Sequence, residues 1–262
     1  MSIHLARFLV LVAALLGAAT STSAAAQVNG FGIDPAKLEF VVAPGAIAMG
    51  TVTVLTRNNA LPLVTRLEDL LIDAAGEVRF FDAGTLERSA APWLSVTPDA
   101  FAVPAKGSTT VTVKVKVPAD AKLNGTYWTT VAFTPNIARG SGGLTINVRV
   151  ALVVYVNVGQ QSPKGLTTSL KWDAVNGLFK FTFQNKGNTV LRPKGMLTLV
   201  NAGGVKVATI PVDDLVCLPG GQLNGAVKFP AGTRPPAGSY IAVLSFSAEG
   251  MKPVATQVSV QL

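Results

Sequence analysis

Thr109-Thr110-Val111-Thr112-Val113-Lys114-Val115-Lys116-Val117 is the stretch whose reading decides the fold. Apolar and polar residues alternate along it, so Val111, Val113, Val115 and Val117 share one face, while Thr110, Thr112, Lys114 and Lys116 share the other. A period of two is that of an antiparallel strand with one face buried and one in water. The β-branched side chains suit a pleated backbone for the same reason that they crowd a helix. The pattern recurs on both sides, at Thr51–Leu55, Leu144–Val150, Leu178–Phe183, Gly195–Val200 and Tyr240–Phe246. No segment beyond residue 26 sustains a helical period. The chain is read as all-β.

An internal echo divides it in two. Pro104-Ala105-Lys106-Gly107 precedes a strand that stops at Pro118, and Gly125-Thr126-Tyr127 opens the next. Pro219-Gly220-Gly221 precedes a strand that stops at Pro230, and Gly238-Ser239-Tyr240 opens the next. In immunoglobulin-like sandwiches a tyrosine near the start of strand F folds back onto the preceding corner, and Tyr127 and Tyr240 are candidates for that role, the other reading being two unrelated core aromatics. Asn58-Asn59 and Asn185-Lys186-Gly187-Asn188 supply matching turns early in each half. The prediction is two immunoglobulin-like β-sandwiches in tandem, spanning 27–158 and 166–262. Between them lies the short turn-rich linker 159–165, which restricts the angle between the domains.

Residues 1–26 read as a cleaved export signal. His4 and Arg7 form a short polar, positive start, Phe8 to Ala19 an apolar stretch, and Ala24-Ala25-Ala26 a small-residue cleavage site. The apolar stretch is shorter than the roughly 20 residues of a spanning helix, and no transmembrane segment is expected in the mature chain. His4 is the only histidine and Cys217 the only cysteine among 262 residues. Removal of the signal leaves no imidazole for a triad, and one thiol makes neither a disulfide nor a metal cage. Glu68-Asp69 and Asp213-Asp214 are adjacent carboxylates, without the across-cleft geometry of a glycosidase, and read as solvated charge. Gly140-Ser141-Gly142-Gly143 leads into a strand instead of a helix and reads as a hairpin tip, not a phosphate loop. Asn124-Gly125-Thr126 fits the glycosylation pattern but reads as a turn, and Cys217 as a small buried apolar residue. No catalytic residue, cofactor site or metal site is assigned.

The formal net charge is +8. Up to Val158 the segment from residue 27 has 11 basic and 10 acidic residues; beyond it there are 10 basic and 4 acidic. The basic excess of the second half fits contact with an anionic envelope surface, steering of an acidic partner, or plain solubility. Its lysines are dispersed along the chain, so no nucleic-acid partner is expected.

The first half resembles the periplasmic pilus-assembly chaperones, the PapD-like family. The resemblance is carried by Ile33-Asp34-Pro35-Ala36-Lys37-Leu38-Glu39-Phe40 as an opening strand and by Pro44-Gly45 with Thr51–Leu55 and Arg57-Asn58-Asn59 as a second strand and turn. Trp93-Leu94-Ser95-Val96-Thr97-Pro98 with Val103-Pro104-Ala105-Lys106-Gly107, and Leu144–Val156 as a long last strand, complete it. It implies a non-catalytic periplasmic protein that lends its last strand to incomplete exported subunits of pilin type, with an outer-membrane usher as a further partner. Leu144, Ile146, Val148 and Val150 would be the donor residues, although the same alternation also fits the protein's own core. The family anchors a client's terminal carboxylate with two cleft cations. Lys37 occupies the first position, as lysine where arginine is usual, and Arg149 is the nearest residue to the second. The rival expectation is a structural or adhesive envelope protein whose sandwiches are spacers and whose basic second domain contacts anionic polymer.

Overall fold

The computed structural model describes residues 30–136, 149–212 and 215–262. In chain order the first part contains β1 (Phe31–Asp34), β2 (Lys37–Val41), β3 (Ile47–Thr56), β4 (Leu61–Ile72) and β5 (Val78–Asp82). It continues with β6 (Leu94–Thr97), β7 (Ala100–Val103), β8 (Ser108–Lys116), β9 (Gly125–Pro135) and β10 (Val150–Val158). The second part contains β11 (Gly165–Asp173), β12 (Leu178–Asn185), β13 (Lys194–Asn201), β14 (Lys206–Val212), β15 (Gln222–Lys228), β16 (Ser239–Ser247) and β17 (Val254–Gln261). Apart from a single 3-10 turn at Ala91–Trp93, every regular element among the described residues is a strand.

β1-β3-β8-β6 form one sheet of the first sandwich; β2-β10-β9-β4-β5 form the other, with β7 pairing β4 as well. In the second part β11-β12-β15 face β14-β13-β16-β17. Alternation in the sequence becomes burial here. Val111, Val113, Val115 and Val117 are at most 1% exposed, and they pack with Val52, Val54, Phe133, Leu152, Val154 and Val156. The second core is aromatic, with Phe179, Phe181, Phe183 and Phe246 buried around Leu197, Leu199 and Leu244. Cys217 lies in that core, where burial pushes its thiol up to about 11.

The two candidate corner tyrosines differ. The Tyr240 hydroxyl donates to the carbonyl of Pro236 at 2.9 Å, a fold-back of the expected kind. Tyr127 instead packs its ring against Trp93, centroids 4.5 Å apart, in the first core.

A third cluster joins the sandwiches. Leu70, Trp128 and Tyr155 of the first pack on Val190 and Leu218 of the second. Beside it Thr126 and Asn188 tie the two together. The Thr126 N–H donates to the Asn188 carbonyl at 2.7 Å, and the Val190 N–H donates to Thr126 Oγ1 at 3.0 Å. The Asn188 side chain donates to Asn124 Oδ1 and to the Gln160 carbonyl, and it accepts from the Ser162 N–H. Thr126 is buried, and its bonds to Asn188 and Val190 fix one geometry at the junction. Gly125 makes the approach possible: its φ is +83°, and a Cβ there would sit 2.2 Å from the Asn188 carbonyl oxygen. Asn124 of the glycosylation-like triplet is thus part of the turn that holds the domains.

Candidate functional site at the interdomain cleft

The sheet containing β10 presents its outer face to the second domain. Along β10 the even positions Leu152, Val154, Val156 and Val158 are buried in the first core, so the odd positions Ala151, Val153, Tyr155 and Asn157 point to the cleft. β2 runs parallel to β10 with Lys37 opposite Val153, Glu39 opposite Tyr155 and Val41 opposite Asn157, which puts these three on the cleft face too. β9 contributes Trp128 and Thr130, and β4 contributes Glu68 and Leu70. Trp128 is fixed by its indole N–H, which donates to the Leu70 carbonyl at 2.8 Å.

Arg192 of the second domain reaches this face. Its guanidinium bonds Glu39 Oε1 and lies 5.0 Å from the centre of the Tyr155 ring. Lys37 Nζ is 3.7 Å from the same Glu39 oxygen. Burial pushes the Tyr155 phenol up, opposed by the nearby Arg192 and assisted by Glu39. The Glu39–Arg192 pair also walls a cleft of about 670 Å³ that is lined further by Val41, Thr189, Lys194 and Glu249. No group of three or more metal-binding side chains occurs among the described residues.

Lys37 and Arg149 share the cleft face but do not converge. Arg149 precedes the Val153 register position by roughly 13 Å of strand at about 3.3 Å per residue. Its NH1 donates to both Glu68 carboxylate oxygens, at 2.7 and 2.6 Å, and its guanidinium sits 4.3 Å from the centre of the Phe80 ring. Val150 is the first residue of β10, opposite Phe133 and partly exposed. Leu144, Ile146 and Val148 lie outside the described residues, as do the export signal and the Asp213-Asp214 pair.

The upstream edge of β10 is open among the described residues. The chain before Lys37 leaves this sheet: β1 pairs with β3 in the opposite one. The Val153 N–H donates to the Ala36 carbonyl, and pairing with β2 continues only towards Asn157. By strand alternation the N–H and C=O of Ala151 point to the same side as those of Val153, where no strand pairs with them among the described residues.

Sequence reasoning missed Arg192, Glu39 and the Trp128–Tyr155 wedge. Glu39 and Arg192 are 153 positions apart and meet only through the domain angle. The one local signal was the odd-position phase of β2 and β10, which places Glu39 and Tyr155 on one face once the register is known.

No protein-family profile and no curated protein matches the sequence. Solved structures do resemble the fold. A chain of a chaperone–tip adhesin complex from CFA/I fimbriae biogenesis aligns with a TM-score of 0.50 at 13% identity, over 87% of this chain and 98% of that one. The E. coli chaperone DraB aligns at 0.42 and 12% identity, over 89% and 98%. The CsuC-CsuE chaperone–tip adhesion subunit pre-assembly complex of Acinetobacter baumannii aligns at 0.40 and 10%, over 76% and 90%. At such identities what is common is architecture, and the chain has the tandem immunoglobulin-like fold of the PapD-like pilus chaperones.

Proposed function

We propose that this protein is a non-catalytic periplasmic chaperone that holds exported subunits of pilin type by strand pairing at the upstream edge of β10, with an outer-membrane usher as a second partner. The observation that carries the reading is the line beside Ala151, which no strand occupies among the described residues: the Ala151 backbone donor and acceptor face it, and β2 fills the same line only from Lys37 onward. An open edge of this kind is a template for an added strand. Leu144, Ile146, Val148 and Val150 are the donor residues in this reading, in the same even-numbered phase as Leu152 and Val154. A client strand parallel to β10 in that line ends against β2, which brings its terminal carboxylate to Lys37. Arg149 flanks the line farther upstream.

Affinity capture of the mature chain from the periplasm, with cross-linking at Val150, tests the reading. A cross-link to an incomplete β-sandwich subunit is the expected result. Recovery of cell-envelope polymer without any such subunit would favour a spacer or adhesive role.

A further inference from the structure

Two turns of the second domain enclose a hollow of about 350 Å³ at the end away from the junction. One turn, 173–177, links β11 to β12, and the other, 230–234, follows β15. β12 starts beside the hollow at Leu178 and ends near the junction at Asn185, a run of about 23 Å at about 3.3 Å per residue. Lys228, Phe229 and Arg234 line the hollow, and no acidic side chain does. The Arg234 guanidinium lies 5.6 Å from the centre of the Trp172 ring, which packs in turn on Phe179 and Phe229. A wall of aromatic rings therefore holds this cation in place. The same wall contains a buried donor, the Trp172 indole N–H, that finds no acceptor among the described residues. Arg79, Arg149, Lys180 and Arg192 each pair with a carboxylate, whereas Lys228 and Arg234 pair with none among the described residues. Asp173, the acid nearest in sequence, is engaged by Lys180 and Asn176. A Cβ at Gly177 or Gly232 would meet nothing within 4 Å, so the mouth of the hollow is open. At its rim Val175 is 94% exposed.

We propose that this hollow takes the phosphodiester headgroup of an anionic lipid, so that the far end of the second domain docks on a membrane surface. Unpaired cations beside a protruding apolar tip match the two attractions of such a surface: phosphate for Lys228 and Arg234, and the headgroup–acyl boundary for Val175. The guanidinium offers paired donors to the phosphate oxygens, and the ammonium adds a point charge. This goes beyond the strand-pairing reading and does not rest on it, since the hollow and β10 lie on different domains. It also gives the basic excess of the second half a defined place of action.

Sedimentation of the mature protein with lipid vesicles tests this. Vesicles of phosphatidylglycerol and phosphatidylcholine should carry the protein down, and vesicles of phosphatidylcholine alone should not. At about fivefold per cation near a charged surface, Lys228→Gln/Arg234→Gln should bind about 30-fold more weakly. Val175→Ser should bind about fivefold more weakly through lost apolar contact. Lys186→Gln removes the same kind of charge at the junction end, more than a Debye length from the hollow, and should bind as the parent does. These side chains are exposed, so the substitutions leave the core intact. No sedimentation with phosphatidylglycerol overturns the proposal. So does an equal loss in Lys186→Gln, which would mark diffuse attraction of the whole domain, and so does full affinity in Val175→Ser, which would remove the apolar rim from the contact. Inorganic phosphate separates the two sources of the anion. Titrated against chloride at equal ionic strength, it should move the Arg234 Nε–Hε resonance in the NMR spectrum and release the protein from vesicles. Movement with phosphate but no vesicle binding overturns the lipid and leaves a soluble phosphate as the occupant.

Discussion

Gly125→Ala is a single-methyl change whose effect follows from geometry. The new Cβ would lie 2.2 Å from the Asn188 carbonyl oxygen and 2.6 Å from its Cβ, so the 188 segment must withdraw. Withdrawal breaks the Thr126 N–H bond to the Asn188 carbonyl and the Val190 N–H bond to Thr126 Oγ1, at about 1 kcal/mol each. An alanine held at a φ of +83° adds about 1–2 kcal/mol. The junction should weaken by about 3–4 kcal/mol, with both cores untouched. A melting midpoint pools both cores with the junction, so native-state hydrogen exchange is the assay. At 1.4 kcal/mol per tenfold, protection of the Thr126 and Val190 amides should fall by about two to three orders of magnitude, and the β8 amides should keep theirs. Unchanged protection at the junction, or an equal fall across β8, would refute the claim that Gly125 sets the domain contact.

Other outcomes follow from the same structure. Leu152→Ala removes a fully buried side chain of the first core and should destabilise that domain by about 2–5 kcal/mol in urea unfolding, with the second domain's transition unmoved. The Cys217 thiol, raised to about 11, stays protonated at pH 8, so it should be inert to a disulfide reagent in the native protein and react on unfolding; its stabilisation, present below the ordinary thiol value, should be lost as pH climbs towards 11. The Lys180 ammonium 2.7 Å from Asp173 and the Asn176 hydrogen bonds hold the Asp173 carboxyl below the usual carboxylate range. Its contribution is therefore present above the ordinary value and lost as pH falls through the lowered one, and Lys180→Gln should move the Asp173 titration, followed by carboxyl carbon NMR, upward.

How much was legible beforehand varied with the range of the interaction. Period-two runs such as Thr109–Val117 and Leu178–Phe183 fixed strands and buried faces, because pleat alternation is local. Tyr240 found its corner acceptor four residues upstream, again a local event. Tyr127 has the same Gly-x-Tyr setting, yet its ring was claimed by Trp93, a packing partner that alternation does not specify. Lys37 lies on the cleft face opposite Val153, and its partner there was not legible in the sequence. Arg149, nearest in sequence to the expected second cation, turns to Glu68 on β4, whereas the cation beside Lys37 comes from the other domain. That pairing depends on the angle set at Gly125 and Asn188, information spread over both halves of the chain.

The central proposal is that a client strand pairs with the upstream end of β10, where no strand pairs with it among the described residues. Its most direct test is the Ala151 amide, which faces that edge. With a strand-forming peptide bound, the Ala151 N–H should gain protection from exchange and show cross-strand contacts to the peptide backbone, while Val153, already bonded to Ala36, should not change. Peptide binding that leaves the Ala151 amide as exchangeable as in the free protein would contradict the account.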